Sequence, residues 1–310
     1  MRPPRSQEKP HGWNYSFPLA IDTANIADRH KNECRNLGLW LDRFVSWTDG
    51  KDEDEIQPTD EIKRRKSPPL RYEKEHEFLE LRESEQVIKY SERWENMLDA
   101  YSKLGYIPKK FKAQPSWRVI VGLGAESVLE TSIRLHHIYG FPIIPGSAIK
   151  GLVRAYAKLA LAKPDDDPEL VSICGSPPGK KPQIAGQVIF FDAVPQNSPH
   201  FKLDVINPHY GDYYAGGNKP PADYLSPKPI FFLTVEKGSR FLFAVAAPSA
   251  HAGLADKAEY WLKKALDELG IGAKTSAGYG QMMALSNLSV MEAGHKASQS
   301  IYIMMYMYPV

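Results

Sequence analysis

Gly140-Phe-Pro-Ile-Ile-Pro-Gly-Ser-Ala-Ile-Lys-Gly-Leu-Val-Arg-Ala-Tyr156 decides how the rest of the chain is read. Pro142 and Pro145 push the residues before them, Phe141 and Ile144, out of helical geometry. A helix is therefore expected from Ser147, whose side chain suits an N-cap. Lys150, Arg154 and Lys158 then recur at a spacing of four, with no acidic residue between Gly146 and Ala162. Ile149, Leu152, Val153, Tyr156 and Leu159 fill most of the remaining positions. The result is one apolar face and one basic edge on a single helix. Free N–H groups and the macrodipole favour anions at a helix N-terminus. Ser147, Lys150 and Arg154 are thus candidates for a phosphate grip.

Composition sets the limits. At 310 residues and 43% hydrophobic, the chain can bury a real core in one large or two ordinary domains. Its net charge is only +2, so contact with nucleic acid must come from local basic surface. Cys34 and Cys174 lie far apart, without metal-ligand spacing, and read as reduced thiols. The first ten residues lack the apolar core of a signal segment, and no apolar run reaches the roughly 20 residues of a membrane span. A soluble cytoplasmic protein with no membrane partner is expected.

Outward from the opening stretch, residues 1–110 read as a largely helical N-terminal extension. Within it, 49–69 is a charged, proline-broken linker in which Lys63–Lys66 form a basic run. Residues 73–104 carry apolar positions at helical spacing. Residues 111–290 form the main domain. Trp117–Val121 is its first expected strand, ended by the Gly122-Leu-Gly124 turn. After the helix come a loop at 164–184, a strand at Gly186–Asp192 and a long proline-rich excursion at 195–229. Ile230–Glu236 and Arg240–Ala247 read as a β-hairpin, Asp256–Leu269 as an amphipathic helix and Gln281–Leu285 as the last strand. The order β-α-β-β-α-β predicts an α+β, ferredoxin-like (RNA-recognition-type) core with long insertions. Residues 291–310 form an apolar tail. Its Ile301–Tyr308 run is either a packed final strand or a contact with a neighbouring subunit.

Between the last helix and strand stands Gly270-Ile-Gly-Ala-Lys-Thr-Ser-Ala-Gly-Tyr-Gly280. It matches G-x-G-x-x-x-x-x-G-x-G throughout. Ile144-Pro-Gly-Ser-Ala-Ile-Lys-Gly-Leu-Val-Arg154 likewise matches I-P-G-S-x-x-K-G-x-x-R. With these two motifs the chain resembles the RAMP proteins of CRISPR systems. Gly122–Glu130, Asn207–Tyr214 and Asn36-Leu-Gly-Leu39 make it similar to the sixth-subunit branch of type III-B effector complexes. The resemblance implies a non-catalytic, terminal RNA-binding subunit near the 3′ end of a CRISPR RNA. It also implies a place beside the repeated RAMP backbone subunit, the small helical subunit and the other terminal RAMP subunit. Target RNA is a further candidate partner, and no cofactor or metal is expected.

Each candidate carries its own chemistry. Glycines at Gly270, Gly272, Gly278 and Gly280 let main-chain N–H groups approach an anion. Lys274, Thr275 and Ser276 add a charge and two hydroxyls at the tip. A mononucleotide P-loop is excluded, because Ala273 separates Gly272 from Lys274. In the excursion, His209, Tyr213 and Tyr214 either contact RNA by stacking or pack the loop on itself. His209 with Asp204 or Asp212 defines an alternative reading, a metal-independent CRISPR endoribonuclease of the same fold. A protein-only scaffold is a third. His136 and His137, adjacent and without a third ligand at suitable spacing, read as structural rather than as a metal pair.

Overall fold

The computed structural model describes residues 36–39, 41, 85–125, 127, 131–177, 179, 182–207 and 230–285. Helix α1 (Glu85–Lys103) buries Val87, Ser91, Trp94 and Leu98, whose spacings of four and three put them on one face. Strands β1 (Tyr106–Pro115) and β2 (Arg118–Val119) follow, then helices α2 (Gly146–Leu159) and α3 (Pro168–Cys174). Next come β3 (Ile189–Phe190), β4 (Val194–Pro195), β5 (Phe201–Ile206), β6 (Ile230–Glu236) and β7 (Phe241–Pro248). Helix α4 (Ala252–Glu268) and β8 (Met282–Ala284) come last; a short helical turn at Leu37–Leu39 and 3-10 turns at Ser249–His251 and Thr275–Ala277 lie outside this series.

The strands form two antiparallel sheets. The larger runs β3–β7–β1–β8, with β4 also on β7, and the smaller runs β2–β6–β5. Strand β7 explains how the layers stack. Phe241, Phe243, Val245 and Ala247 join the core beneath α2 and α4. The alternate residues Leu242, Ala244 and Ala246 pack on Trp94 and Leu98 of α1. Burial on both faces is why this strand is an unbroken apolar run. A sheet face that could have stayed open is therefore covered by α1.

Several expectations are corrected. The first strand of the larger sheet is β1, not Trp117–Val121, and it pairs with β7 from Tyr106 opposite Pro248 to Ala113 opposite Phe241. Pro108 is tolerated because β8 meets β1 only at Ala113–Pro115, so no described strand needs an N–H on that side. Ile230–Glu236 and Arg240–Ala247 do not form a hairpin. β6 pairs with β2 and β5, whereas β7 pairs with β1, β3 and β4, so the intervening turn carries the chain between sheets. The expected loop at 164–184 contains α3, whose Asp167 cap accepts from Glu169 and Leu170 N–H at 3.0 and 2.9 Å. The linker at 49–69 and the apolar tail lie outside the described residues.

Candidate functional site

Helix α2 begins one residue earlier than its sequence suggests. Pro145 holds the cap position and Gly146 is the first helical residue, so Ser147 lies exposed inside the first turn without capping. The Gly146 N–H donates instead to Asp192 Oδ1 at 2.7 Å. Only glycine fits at 146, since a Cβ there would overlap the Phe190 carbonyl. The positive end of α2 thus faces a carboxylate of the protein itself.

The basic edge of α2 divides into different roles. Arg154 donates through Nη2 to the carbonyl oxygens of Cys174 (3.1 Å) and Gly175 (2.6 Å), closing the C-terminal end of α3. Lys158 pairs with Asp165 at 3.0 Å. Lys150 is half-buried and has no ion-pair partner among the described residues. Burial pushes the Cys174 thiol up to about 11, against the opposing pull of Arg154 and Lys150. Arg154 therefore sits on the side of α2 that faces α3.

The glycine-laced loop leaves the end of α4 and folds back onto the segment after β2. Gly272 has φ +98 and approaches the Ile120 carbonyl so closely that a Cβ would overlap it. Gly280 has φ +79 and packs in the same way on Ile271. Most loop amides are committed within the chain. Ile271 N–H donates to Gly280 O (2.8 Å), Ala273 to Ile120 O (2.8 Å) and Gly280 to Arg118 O (2.7 Å). Those of Gly270, Ala277, Gly278 and Tyr279 also find backbone carbonyls. Apart from the Gly272 N–H, the expected anion nest accordingly shrinks to the tip. There the N–H groups of Lys274, Thr275 and Ser276 have no backbone partner among the described residues, and Lys274 is left-handed at φ 60. Lys274 Nζ lies 5.6 Å from the centre of the Phe232 ring, a cation–π contact.

Beneath the loop lies a polar cluster that sequence reasoning did not assemble. Arg118 pairs with Asp204 and, at 3.9 Å, with Glu236. Tyr279 Oη donates to Asp204 Oδ2 at 2.6 Å, and Val205 N–H donates to Oδ1 at 2.9 Å. Burial raises the Asp204 pKa, but these bonds and Arg118 outweigh it and hold the carboxyl below its ordinary value. Burial and the Asp204 carboxylate push Tyr279 up to about 12. Asp204 is therefore held ionised, as the anchor shared by Arg118 and Tyr279. The signals were Arg118 within an apolar strand and Tyr279 between two motif glycines. His209, Tyr213 and Tyr214 lie outside the described residues. His136 packs edge-on with Tyr90 at 5.1 Å and beside Tyr139 and Phe141, and burial lowers its pKa. Among the described residues no cluster has the make-up of a metal site, and no helix is long and apolar enough to cross a membrane.

The family model of the RAMP superfamily matches residues 118–283, a span that holds both the Pro-Gly-Ser helix entry and the glycine-laced loop. The chain belongs to the RAMP superfamily. Within it, the chain is 38% identical to the CRISPR system Cmr subunit Cmr6 of Pyrococcus furiosus, covering 63% of this chain and 72% of that protein. It is 28% identical to the Cmr6 subunit of Saccharolobus solfataricus, covering 67% of each. A solved type III-B Cmr-beta complex bound to cognate target RNA contains a chain of the same fold. That match has a TM-score of 0.56 at 22% identity and covers 68% of this chain and 70% of that one.

Proposed function

We propose that this chain is a non-catalytic, RNA-holding subunit of a type III-B CRISPR effector assembly. The guide backbone lies against the loop tip at Lys274, Thr275 and Ser276, with Lys150 as a second cation. The relatives are Cmr6 subunits, and the larger sheet's order, with α2 and α4 as its connecting helices, supports a ferredoxin-like core. By the same likeness the subunit caps the filament near the guide's 3′ end, in contact with neighbouring RAMP and small helical subunits.

One observation carries this reading. The loop is tied rigidly to Ile120 and Arg118, yet it leaves three successive amides, a cation and two hydroxyls at its tip. Such a tip binds phosphate oxygens without reading bases. That suits a protein which must hold any guide, because base pairing supplies the specificity in RNA-guided systems.

Titration of the full chain with single-stranded RNA at several salt concentrations tests it. Affinity should fall with a log–log slope of about −0.7 per phosphate contact. Lys274→Ala and Lys150→Ala should each make the slope shallower by about that amount. Wild-type binding without salt dependence overturns the reading. Cleavage of labelled repeat RNA in EDTA would favour the endoribonuclease instead.

A further inference from the structure

We propose that Trp117 is a stacking platform for one unpaired nucleobase of the RNA strand whose phosphates meet the loop tip. The inference rests on the RNA-holding reading above and adds a base contact to it. Trp117 is 45% exposed, whereas the other described tryptophans, Trp94 and Trp261, are buried at 5% and 3%. A single exposed apolar residue needs no explanation by itself. What sets this one apart is its mounting.

Trp117 stands alone with Ser116 between β1 and β2, and both of its chain neighbours are hydrogen-bonded to the loop's return. Ser116 N–H donates to Gln281 O at 2.9 Å, and Arg118 O accepts from Gly280 N–H at 2.7 Å. The indole rests on the Tyr279 ring, with centroids 4.8 Å apart at 45°. The Arg118 guanidinium carbon lies 4.9 Å from the indole centre. Tyr279 and Arg118 are in turn both fixed by Asp204. The ring is thus supported from beneath, half open to solvent, and tied to the loop that carries Lys274.

The local charges select a base rather than a phosphate at this spot. Arg118 is neutralised by Asp204 and Glu236, and Lys202 also pairs with Glu236 at 3.6 Å. A planar ring beside anion-binding amides is the arrangement by which single-stranded nucleic acid is held through backbone and base at once. Every base has a π-face, so such a contact is tolerant of sequence.

The test compares two probes on the full chain by fluorescence anisotropy: a ribo-oligonucleotide, and an abasic ribose–phosphate chain of equal length. Trp117→Ala should weaken oligonucleotide binding by about 5- to 150-fold, the range for loss of one stacked base, and leave the abasic chain unaffected. Trp117→Phe should retain most of the affinity. Equal losses for both probes would make Trp117 a support for the loop alone and overturn the proposal. So would an unchanged Trp117→Ala variant, with the RNA-holding reading left standing. A wild-type chain that binds neither probe overturns both.

Discussion

Asp192 Oδ1 accepts the Gly146 N–H at 2.7 Å, so the strand region beside α2 places its own carboxylate at that helix's positive end. This bond replaces the capping role expected of Ser147. Asp192→Ala should lower stability by about 1 kcal/mol in urea unfolding, and Asp192→Asn by less, because the amide oxygen can still accept. Ser147→Ala should be close to neutral in the same measurement.

The four motif glycines are not equivalent. A methyl group at Gly272 would meet the Ile120 carbonyl at a φ of +98, whereas one at Gly278, φ +86, meets nothing within 4 Å. Gly278→Ala should cost about 1–2 kcal/mol, the strain of left-handed backbone. Gly272→Ala adds overpacking and should cost about 3 kcal/mol or more by denaturant titration.

Arg154 and Lys150 share a helix edge but should separate by assay. Arg154 donates to the Cys174 and Gly175 carbonyls, so Arg154→Ala should destabilise by about 1.5–3 kcal/mol. Lys150→Ala should change stability by no more than about 0.5 kcal/mol while weakening RNA binding. The opposite pattern would reverse the two roles.

These contrasts mark what the sequence makes legible. The stripes of α1, α2 and α4 are local and periodic, and their apolar faces are read directly from spacing. Strand β7 is legible because both of its faces are buried. β1 is hidden, because Pro108 and the lysines at 109, 110 and 112 obscure its alternation. The loop glycines are visible as a pattern, but which amides stay free depends on Ile120 and Arg118, more than 150 residues earlier. Asp192 capping Gly146 is a contact across 46 residues, and no local rule predicts it.

The cluster under the loop makes stability depend on pH at both ends. Asp204 titrates below its ordinary value of 3.8 in the folded chain. Its contribution is therefore present above about pH 4 and is lost as pH falls through the lowered folded value. Tyr279 is raised from 10.0 to about 12, so its contribution is intact below pH 10 and is lost as pH rises towards 12. Unfolding midpoints should flatten on the acid side in Asp204→Asn and on the alkaline side in Tyr279→Phe. A Tyr279→Phe profile identical to wild type between pH 10 and 12 would contradict the assignment.

Photo-crosslinking of guide RNA on the assembled particle, read out by peptide mass spectrometry, is the most direct test of the account. Crosslinks are expected on the peptide spanning Lys274–Ser276 and on the peptide holding Lys150. Crosslinks confined to α1, with none on the glycine-laced loop, would contradict it.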